Sequence, residues 1–150
     1  MASSAKQRRA GRNRARRVLM QVLYQSLLNE QPLADIRQQF AQRDSLAGVD
    51  MDFFDDLLTE VDSARANYDE VIGRYADRPV SQLDPVERAV IYGAFAELNA
   101  RSDVPYRVVI NEAVTLAKQF GGTDGHKYVN ALLDRAAAEL RPQEAGGGRD

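Results

Sequence analysis

The segment 84–98 is apolar on nearly every side at helical spacing, which strongly limits how this chain can fold. Asp84 is suited to cap the first free backbone N–H groups, and Pro85 suits the first helical position because it has no N–H to lose. A helix without a polar middle must be covered by other helices. The sequence therefore predicts an all-α fold, a compact bundle of about six to seven helices around a central buried helix over 85–98. The first turn of that helix, with Glu87 and Arg88, is predicted to stay open to a partner.

Apolar residues at helical spacing predict the other helices as well, and no alternating strand pattern or internal repeat is present. The interval 62–67 is polar and leaves open whether the third helix is continuous. The predicted helices cover about 14–29, 32–43, 105–120 and 125–140. A further helix is predicted between the second and the central one, from Asp50 or Asp52 to a stop at Arg78-Pro79.

Three parts are expected along the chain. Residues 1–13 hold almost no apolar side chain and predict a disordered, arginine-rich arm. Residues 14–141 predict a single helical domain, and Pro142 with the glycines that follow predicts a disordered tail over 142–150.

Composition excludes several classes of protein. The chain has no cysteine, so it can form neither disulfides nor thiolate metal sites. No apolar run approaches the roughly 20 residues of a membrane span, and no apolar signal-peptide core follows the basic N-terminus. We therefore expect a cytoplasmic protein.

The charge is distributed unevenly along the chain. The first 17 residues carry seven basic side chains and no acid, whereas the remainder carries 13 basic and 22 acidic side chains. An arginine-rich arm on an acidic body favours nucleic-acid binding, because arginine holds phosphate in a bidentate manner and stacks on bases. A terminus that serves only solubility is the alternative interpretation.

Catalytic chemistry receives little support from the sequence. The turn over 121–127 superficially resembles a phosphate-binding loop, but its last glycine is followed by His126 and not by lysine and then serine or threonine. A glycine that ends one helix, followed by an Asp124 cap on the next, explains the turn better than a specific anion site does. His126 is the only histidine, and we predict no catalytic residue, no metal site and no cofactor.

Two groups of residues favour binding of single-stranded nucleic acid. Helical spacing places Arg14, Arg17 and Gln21 on one face with Tyr24. Near the last helix start, Phe120, Lys127 and Tyr128 combine rings with a cation and free backbone N–H groups. Each ring also suits an ordinary core position, and the residues alone leave both RNA and DNA open, with RNA favoured.

Several motifs together resemble the NusB family of transcription antitermination factors. The resemblance covers about 12–142, and its motifs are Arg14-Ala-Arg-Arg, Gln21-Val-Leu-Tyr24, Leu83-Asp-Pro-Val-Glu-Arg-Ala-Val, Asp103-Val-Pro-Tyr-Arg-Val-Val-Ile-Asn-Glu-Ala, Phe120-Gly and His126-Lys-Tyr-Val-Asn. It implies an all-helical protein in two packed halves, without enzymatic activity. It also implies binding to the boxA element of nascent RNA, notably ribosomal RNA, with NusE, a ribosomal small-subunit protein, in the antitermination complex on RNA polymerase.

The resemblance also implies functional residues, position by position. Glu87 matches an acidic position that faces NusE, with Arg88 beside it. The chain departs from the family pattern at Asn13, where arginine is common, and at Arg17, where an acid is common; the arm's charge still makes Arg17 a candidate RNA contact. The other predicted RNA contacts are Arg12, Arg14, Arg16, Gln21, Tyr24, Phe120, Asp124, Lys127 and Tyr128.

Two alternatives of a different class remain. The chain could be an adaptor that binds NusE without RNA, or a helical domain similar to those at the N-terminus of some ribosomal RNA methyltransferases. Some members of the resembled family form homodimers that cover part of the RNA face, so a homodimer is a further candidate partner.

Overall fold

The computed structural model describes residues 4–146, which form helices joined by short connections and contain no strand. Among these residues, no helix has both the length and the apolar character needed to cross a membrane. The helices are α1 (Ala5–Asn29), α2 (Leu33–Gln42), α3 (Met51–Tyr75), a 3-10 turn (Val80–Gln82), α4 (Pro85–Ala100), α5 (Tyr106–Phe120), α6 (Gly125–Leu140) and a final π-helical turn (Pro142–Gly146).

Helix α4 lies at the centre of the molecule, as the sequence predicts. It packs against α1, α3, α5 and α6. Its interior face is apolar, and Ile91, Phe95 and Leu98 are buried almost completely. α4 therefore joins the helices that precede it in the chain to α5 and α6, which follow it, and the predicted all-α fold is confirmed.

The predicted helix start at Asp84 is confirmed by its hydrogen bonds, and of the two caps predicted for the third helix, Asp50 or Asp52, the structure has Asp50. The Asp84 carboxylate accepts from the N–H of Val86 at 2.8 Å, and the Asp50 carboxylate accepts from the N–H of Phe53 at 3.1 Å. These bonds satisfy N–H groups that have no partner within the helix. Helix α3 then runs unbroken through 62–67, which settles the open question about that interval.

The predicted start of the first helix at about Arg14 is wrong, because α1 begins at Ala5. Ser4 and Gln7 form a capping box, in which each side chain accepts from the other residue's backbone N–H, at 2.9 and 3.1 Å. Alanine and arginine propagate the helix well once it has started. Residues 4–13 thus belong to α1, while 1–3 lie outside the described residues; the mobility of the arm in solution stays a prediction.

The end of the chain packs more closely than the predicted disordered tail. The π-helical turn follows α6 directly and buries Ala145, while 147–150 lie outside the described residues. Glu144 in this turn accepts from the N–H of Tyr106 at 2.9 Å, at the start of α5. That N–H needs a partner because Pro105, at the cap position, offers no side-chain acceptor.

Arg141 connects this turn to the C-terminal end of α4. Its guanidinium is buried and donates to the backbone carbonyls of Leu98 at 2.6 Å, Arg101 at 2.8 Å and Val104 at 2.9 Å. It also pairs with Glu144 at 2.6 Å. The last carbonyls of a helix lack hydrogen-bond donors inside the helix. Arg141, which directly follows α6, supplies donors to the carbonyls at the end of α4.

A buried ion pair joins α1 to α4. The Arg16 guanidinium contacts both carboxylate oxygens of Glu97, at 2.8 and 2.6 Å, and donates to Asn13 at 2.8 Å. The Glu97 side chain is 3% exposed and that of Arg16 10%. Glu97 lies in the last turn of α4, and pairing with Arg16 is what makes its burial there tolerable.

We expect Arg141→Met to lower the free energy of unfolding by about 3 kcal/mol or more, because it leaves several buried carbonyls without a donor at roughly 1 kcal/mol or more each. Arg141→Lys should recover only part of the loss, since an ammonium group cannot reach all the carbonyls that the guanidinium fork reaches.

Urea unfolding followed by circular dichroism measures the change, read at constant m value. Arg107→Met, a change at an exposed position of α5, is the control and should leave the midpoint unchanged within error. An Arg141→Met protein as stable as this control would show that water replaces the guanidinium at no cost.

Candidate nucleic-acid interface

An open groove lies where α1 and α2 meet the first turn of α4 and the last turn of α5. Its volume is about 520 Å³. It contains three residues that the sequence predicts as RNA contacts, Gln21, Tyr24 and Phe120, although α1 and α5 are far apart in the chain. Its lining is Met20, Gln21, Tyr24, Gln25, Leu28, Asn29, Phe40, Arg43, Ser45, Val86 and Phe120, with no acidic side chain among them.

The α1 wall of the groove follows from helical spacing. Gln21 and Leu28 are exposed and Tyr24 is half-buried, and these positions are three or four residues apart. Arg17 is exposed one turn before Gln21, so a cation continues the same face towards the N-terminus. Tyr24 also packs on the edge of the hydrophobic core, which is one of the two uses that the sequence left open; its contact with RNA stays a prediction.

Phe120 forms the opposite wall, at the end of α5. Its side chain is 42% exposed, an unusual exposure for a large aromatic ring in this protein. Gly121 follows it, and a Cβ at that position would lie 2.7 Å from the carbonyl oxygen of Ala117, so the chain can turn here only with glycine. The turn that ends α5 thereby leaves the Phe120 ring at the surface.

The turn between α5 and α6 differs from the predicted cap. Asp124 occupies the position before α6 with a left-handed φ of 66°, and its side chain accepts no capping hydrogen bond. Asp124 instead pairs with Lys127 at 3.2 Å, where both side chains are largely exposed. His126 and Asp124 line one shallow depression at this turn. Within 4–146, no group of three or more potential ligand side chains is arranged to hold a metal. Solvent screens the exposed pair, so a ligand can separate it easily.

The arginines of the arm are placed differently from one another. Arg12 pairs with Asp103 at 3.2 Å and lies over the ring of Phe53, with 4.8 Å between the guanidinium carbon and the ring centroid. Arg14 donates to the carbonyl of Ala47 in the loop before α3. Arg16 is held by Glu97, as described above.

Asp103 is held in an environment rich in positive charge. Arg101 donates to it at 3.0 and 3.2 Å, and together with Arg12 lowers the pKa of the Asp103 carboxyl to about 2. The carboxylate therefore stays charged at any ordinary pH and keeps Arg12 occupied. Of the predicted arginine contacts, Arg17 alone has no ionic or hydrogen-bonded partner among the described residues.

Tyr128 and Glu87 belong to a second group, away from the lining of the groove. The Arg78 guanidinium lies over the Tyr128 ring at 5.0 Å, and the Tyr128 hydroxyl is buried without a hydrogen-bond partner among the described residues. Burial is the main cause that raises the pKa of Tyr128, and nearby Asp77 adds to it. The two rings predicted near the start of the last helix are therefore separated, because Phe120 lines the groove and Tyr128 does not.

Glu87 lies against the first residue of α6. A Cβ at Gly125 would come within 2.7 Å of a Glu87 carboxylate oxygen, so a larger residue there would displace the Glu87 side chain from this position. Burial, and then the charge of Asp84, raise the pKa of the Glu87 carboxyl. The N-terminal end of a helix favours a nearby carboxylate, which explains why an acid is tolerated in this half-buried place.

Arg88 is less available than the sequence predicts. Its guanidinium donates to the hydroxyl of Tyr92 at 2.9 Å and pairs with Asp69 at 3.5 Å. The Tyr92 hydroxyl in turn donates to Asp69. Arg88 thus joins α4 to α3 from a half-buried position, whereas Glu87 faces α6.

Sequence reasoning missed the contribution of α2 to the groove. Phe40, at the end of the apolar stripe of α2, contributes its ring, and Arg43 lies over that ring at 4.7 Å. Leu28 of α1 is 53% exposed beside them. The i, i+3 spacing of Phe40 and Arg43 was the one local signal, but only the packing of α2 on α1 brings the pair to the groove.

Comparisons with known proteins agree on one family. The model of the NusB family matches residues 13–138. A Hahella chejuensis protein named transcription antitermination protein NusB is 44% identical over 150 residues, covering 99% of this chain and 97% of that protein. A Marinobacter nauticus protein of the same name is 44% identical, with 89% of this chain and 84% of that protein covered.

A solved structure of T. maritima NusB has the same fold. Its TM-score with this chain is 0.76 at 27% sequence identity, and the match covers 89% of this chain and 95% of the other. The match of sequence and of fold extends over nearly the whole described chain. The protein belongs to the NusB family of transcription antitermination proteins.

Proposed function

We propose that this protein binds boxA in nascent RNA together with NusE and joins the antitermination complex on RNA polymerase in the cytoplasm, notably during ribosomal RNA synthesis. In this proposal Gln21, Tyr24 and Phe120 contact bases in the groove. Arg17 adds a phosphate contact beside it, and Asp124 with Lys127 contacts the strand beyond Phe120. The protein performs no catalytic step.

The observation that carries the proposal is the composition of the groove. Two aromatic rings face an open space together with side-chain amides, and no acid lines the groove to repel phosphate. Unpaired bases stack on such rings, and amides can bond to base edges. Arg16 has a different role here, as a positioning residue that fixes α1 on α4 through Glu97.

Phe120→Ala is expected to weaken binding of a boxA oligonucleotide by about tenfold or more, because stacking of one base on an aromatic ring contributes roughly 1–3 kcal/mol. Fluorescence anisotropy of a labelled oligonucleotide, titrated with the protein, measures the affinity.

Val108→Ala is the matched control, since Val108 is a similarly exposed apolar residue of the same helix, at 40%, outside the groove. It should bind as the unaltered protein does. Equal affinity of the two variants would exclude Phe120 from the RNA site.

Arg17→Gln is expected to reduce the dependence of log affinity on log salt by about 0.7, the amount for one phosphate contact on a single strand. Deleting 1–17 would also remove Arg16 and leave the buried Glu97 carboxylate without its partner. A single substitution therefore measures the effect of the Arg17 charge more cleanly. Titrations at several salt concentrations give the slope. An unchanged slope would mean that the arm's exposed charge serves solubility.

We also propose that Glu87 contacts NusE. It has a half-buried carboxylate beside Arg78 and the start of α6, separate from the groove, and a partner that brings a cation would stabilise its charged form. The position of Glu87 lets NusE and RNA bind at the same time.

Glu87→Gln is expected to weaken NusE binding severalfold or more, measured by calorimetry, while the affinity for boxA RNA without NusE stays unchanged. The variant keeps the size of the side chain and so preserves its packing against Gly125. A protein that binds NusE normally but shifts no RNA, alone or with NusE, would instead be the RNA-independent adaptor.

A further inference from the structure

We infer that Arg43, which directly follows α2 and is supported by the Phe40 ring, is a phosphate-binding residue of the groove. The inference extends the proposed RNA site and rests on it. It adds a helix to which neither the sequence motifs nor the proposed contacts above assign a role, and it predicts that the bound strand crosses from α1 and α5 to the end of α2.

The first argument is charge. Arg43 is the one cationic side chain among the residues that line the groove, and no acid lines it. No salt bridge joins Arg43 to its neighbour Asp44 or to any other acid of the described residues. Arg37 lies earlier, on α2, and is different in this respect. It donates to both carboxylate oxygens of Asp55, at 2.7 and 2.9 Å. Arg43 therefore retains its capacity to bind an anion.

The second argument is geometry. The Arg43 guanidinium carbon lies 4.7 Å from the centroid of the Phe40 ring, within the range of a cation–π contact. Phe40 is itself 6% exposed and held in the core, so it gives the flexible arginine a fixed support. Ordering the side chain before a ligand arrives reduces the entropy that binding must overcome.

The third argument is the chemistry of the ligand that such a groove suits. Flat rings at Tyr24 and Phe120 favour stacking, amides at Gln21 and Gln25 favour hydrogen bonds, and Arg43 favours an anion. A single-stranded nucleic acid provides bases and phosphates in alternation and matches all three. An acidic peptide matches the cation but offers few rings for stacking.

The test compares Arg43→Gln with Arg107→Gln. Arg107 is the matched control because it is also an exposed arginine over an aromatic ring, at 5.2 Å from Tyr106, and lies outside the groove. Both variants lose one positive charge, so any general electrostatic effect is the same in both.

We expect Arg43→Gln to bind a boxA oligonucleotide roughly tenfold more weakly at low salt, with the salt slope reduced by about 0.7 relative to Arg107→Gln. A scrambled oligonucleotide should lose the same factor, since phosphate contacts carry no sequence information. The urea midpoints of the two variants should agree with that of the unaltered protein.

Equal affinities and slopes for the two variants would overturn the inference. If Phe120→Ala weakens binding in the same experiment, the proposed function stands and only the role of Arg43 falls. If the unaltered protein binds no RNA with or without NusE, both fall. If a polyglutamate peptide displaces the RNA when the two are at equal concentration, the groove binds an acidic peptide segment of a partner protein. That result would also overturn the inference.

Discussion

The burial of α4 is the constraint on which the rest of the structure depends. A helix with no polar side in its middle must be covered on all sides, and α1, α3, α5 and α6 provide that cover. One acid, Glu97, is buried with it and requires a cation at a fixed place, which Arg16 of α1 supplies. Because that pair fixes α1 along α4, it also fixes where Gln21 and Tyr24 lie relative to Val86 and thus forms one wall of the groove.

The arginines show why charge along a sequence is a weak guide to a binding surface. The arm carries no acid of its own, yet the fold brings Asp103 and Glu97 to Arg12 and Arg16, and these arginines act within the protein. These contacts hold helices together, so we expect an arginine without such a partner to be more available to a phosphate than Arg12 or Arg16. Positive charge is counted from composition, but its availability depends on contacts made far along the chain.

Local chemistry predicted much of the fold and less of the site. The cap at Asp84 and the start of α4 follow from residues within one helical turn, and the structure confirms them; for the third helix it selects Asp50 from the two caps that the sequence left open. The predicted start of α1 was too far along the chain because it followed the apolar residues and not the capping box at Ser4. That capping box is a local signal in the sequence. The pairing of Arg16 with Glu97 joins residues 81 positions apart, and no local pattern encodes a contact of that kind.

The first turn of α4 connects the two proposed binding surfaces. Val86 lines the groove, whereas the next residue, Glu87, lies against Gly125 at the start of α6, because successive residues of a helix point about 100° apart. Asp84 caps this turn and Pro85 fixes its backbone, so neither surface can shift relative to the other without unwinding a buried helix. On such a support we expect any cooperation between the two proposed ligands to come from direct contact between them, because close packing around α4 opposes a second arrangement of that helix.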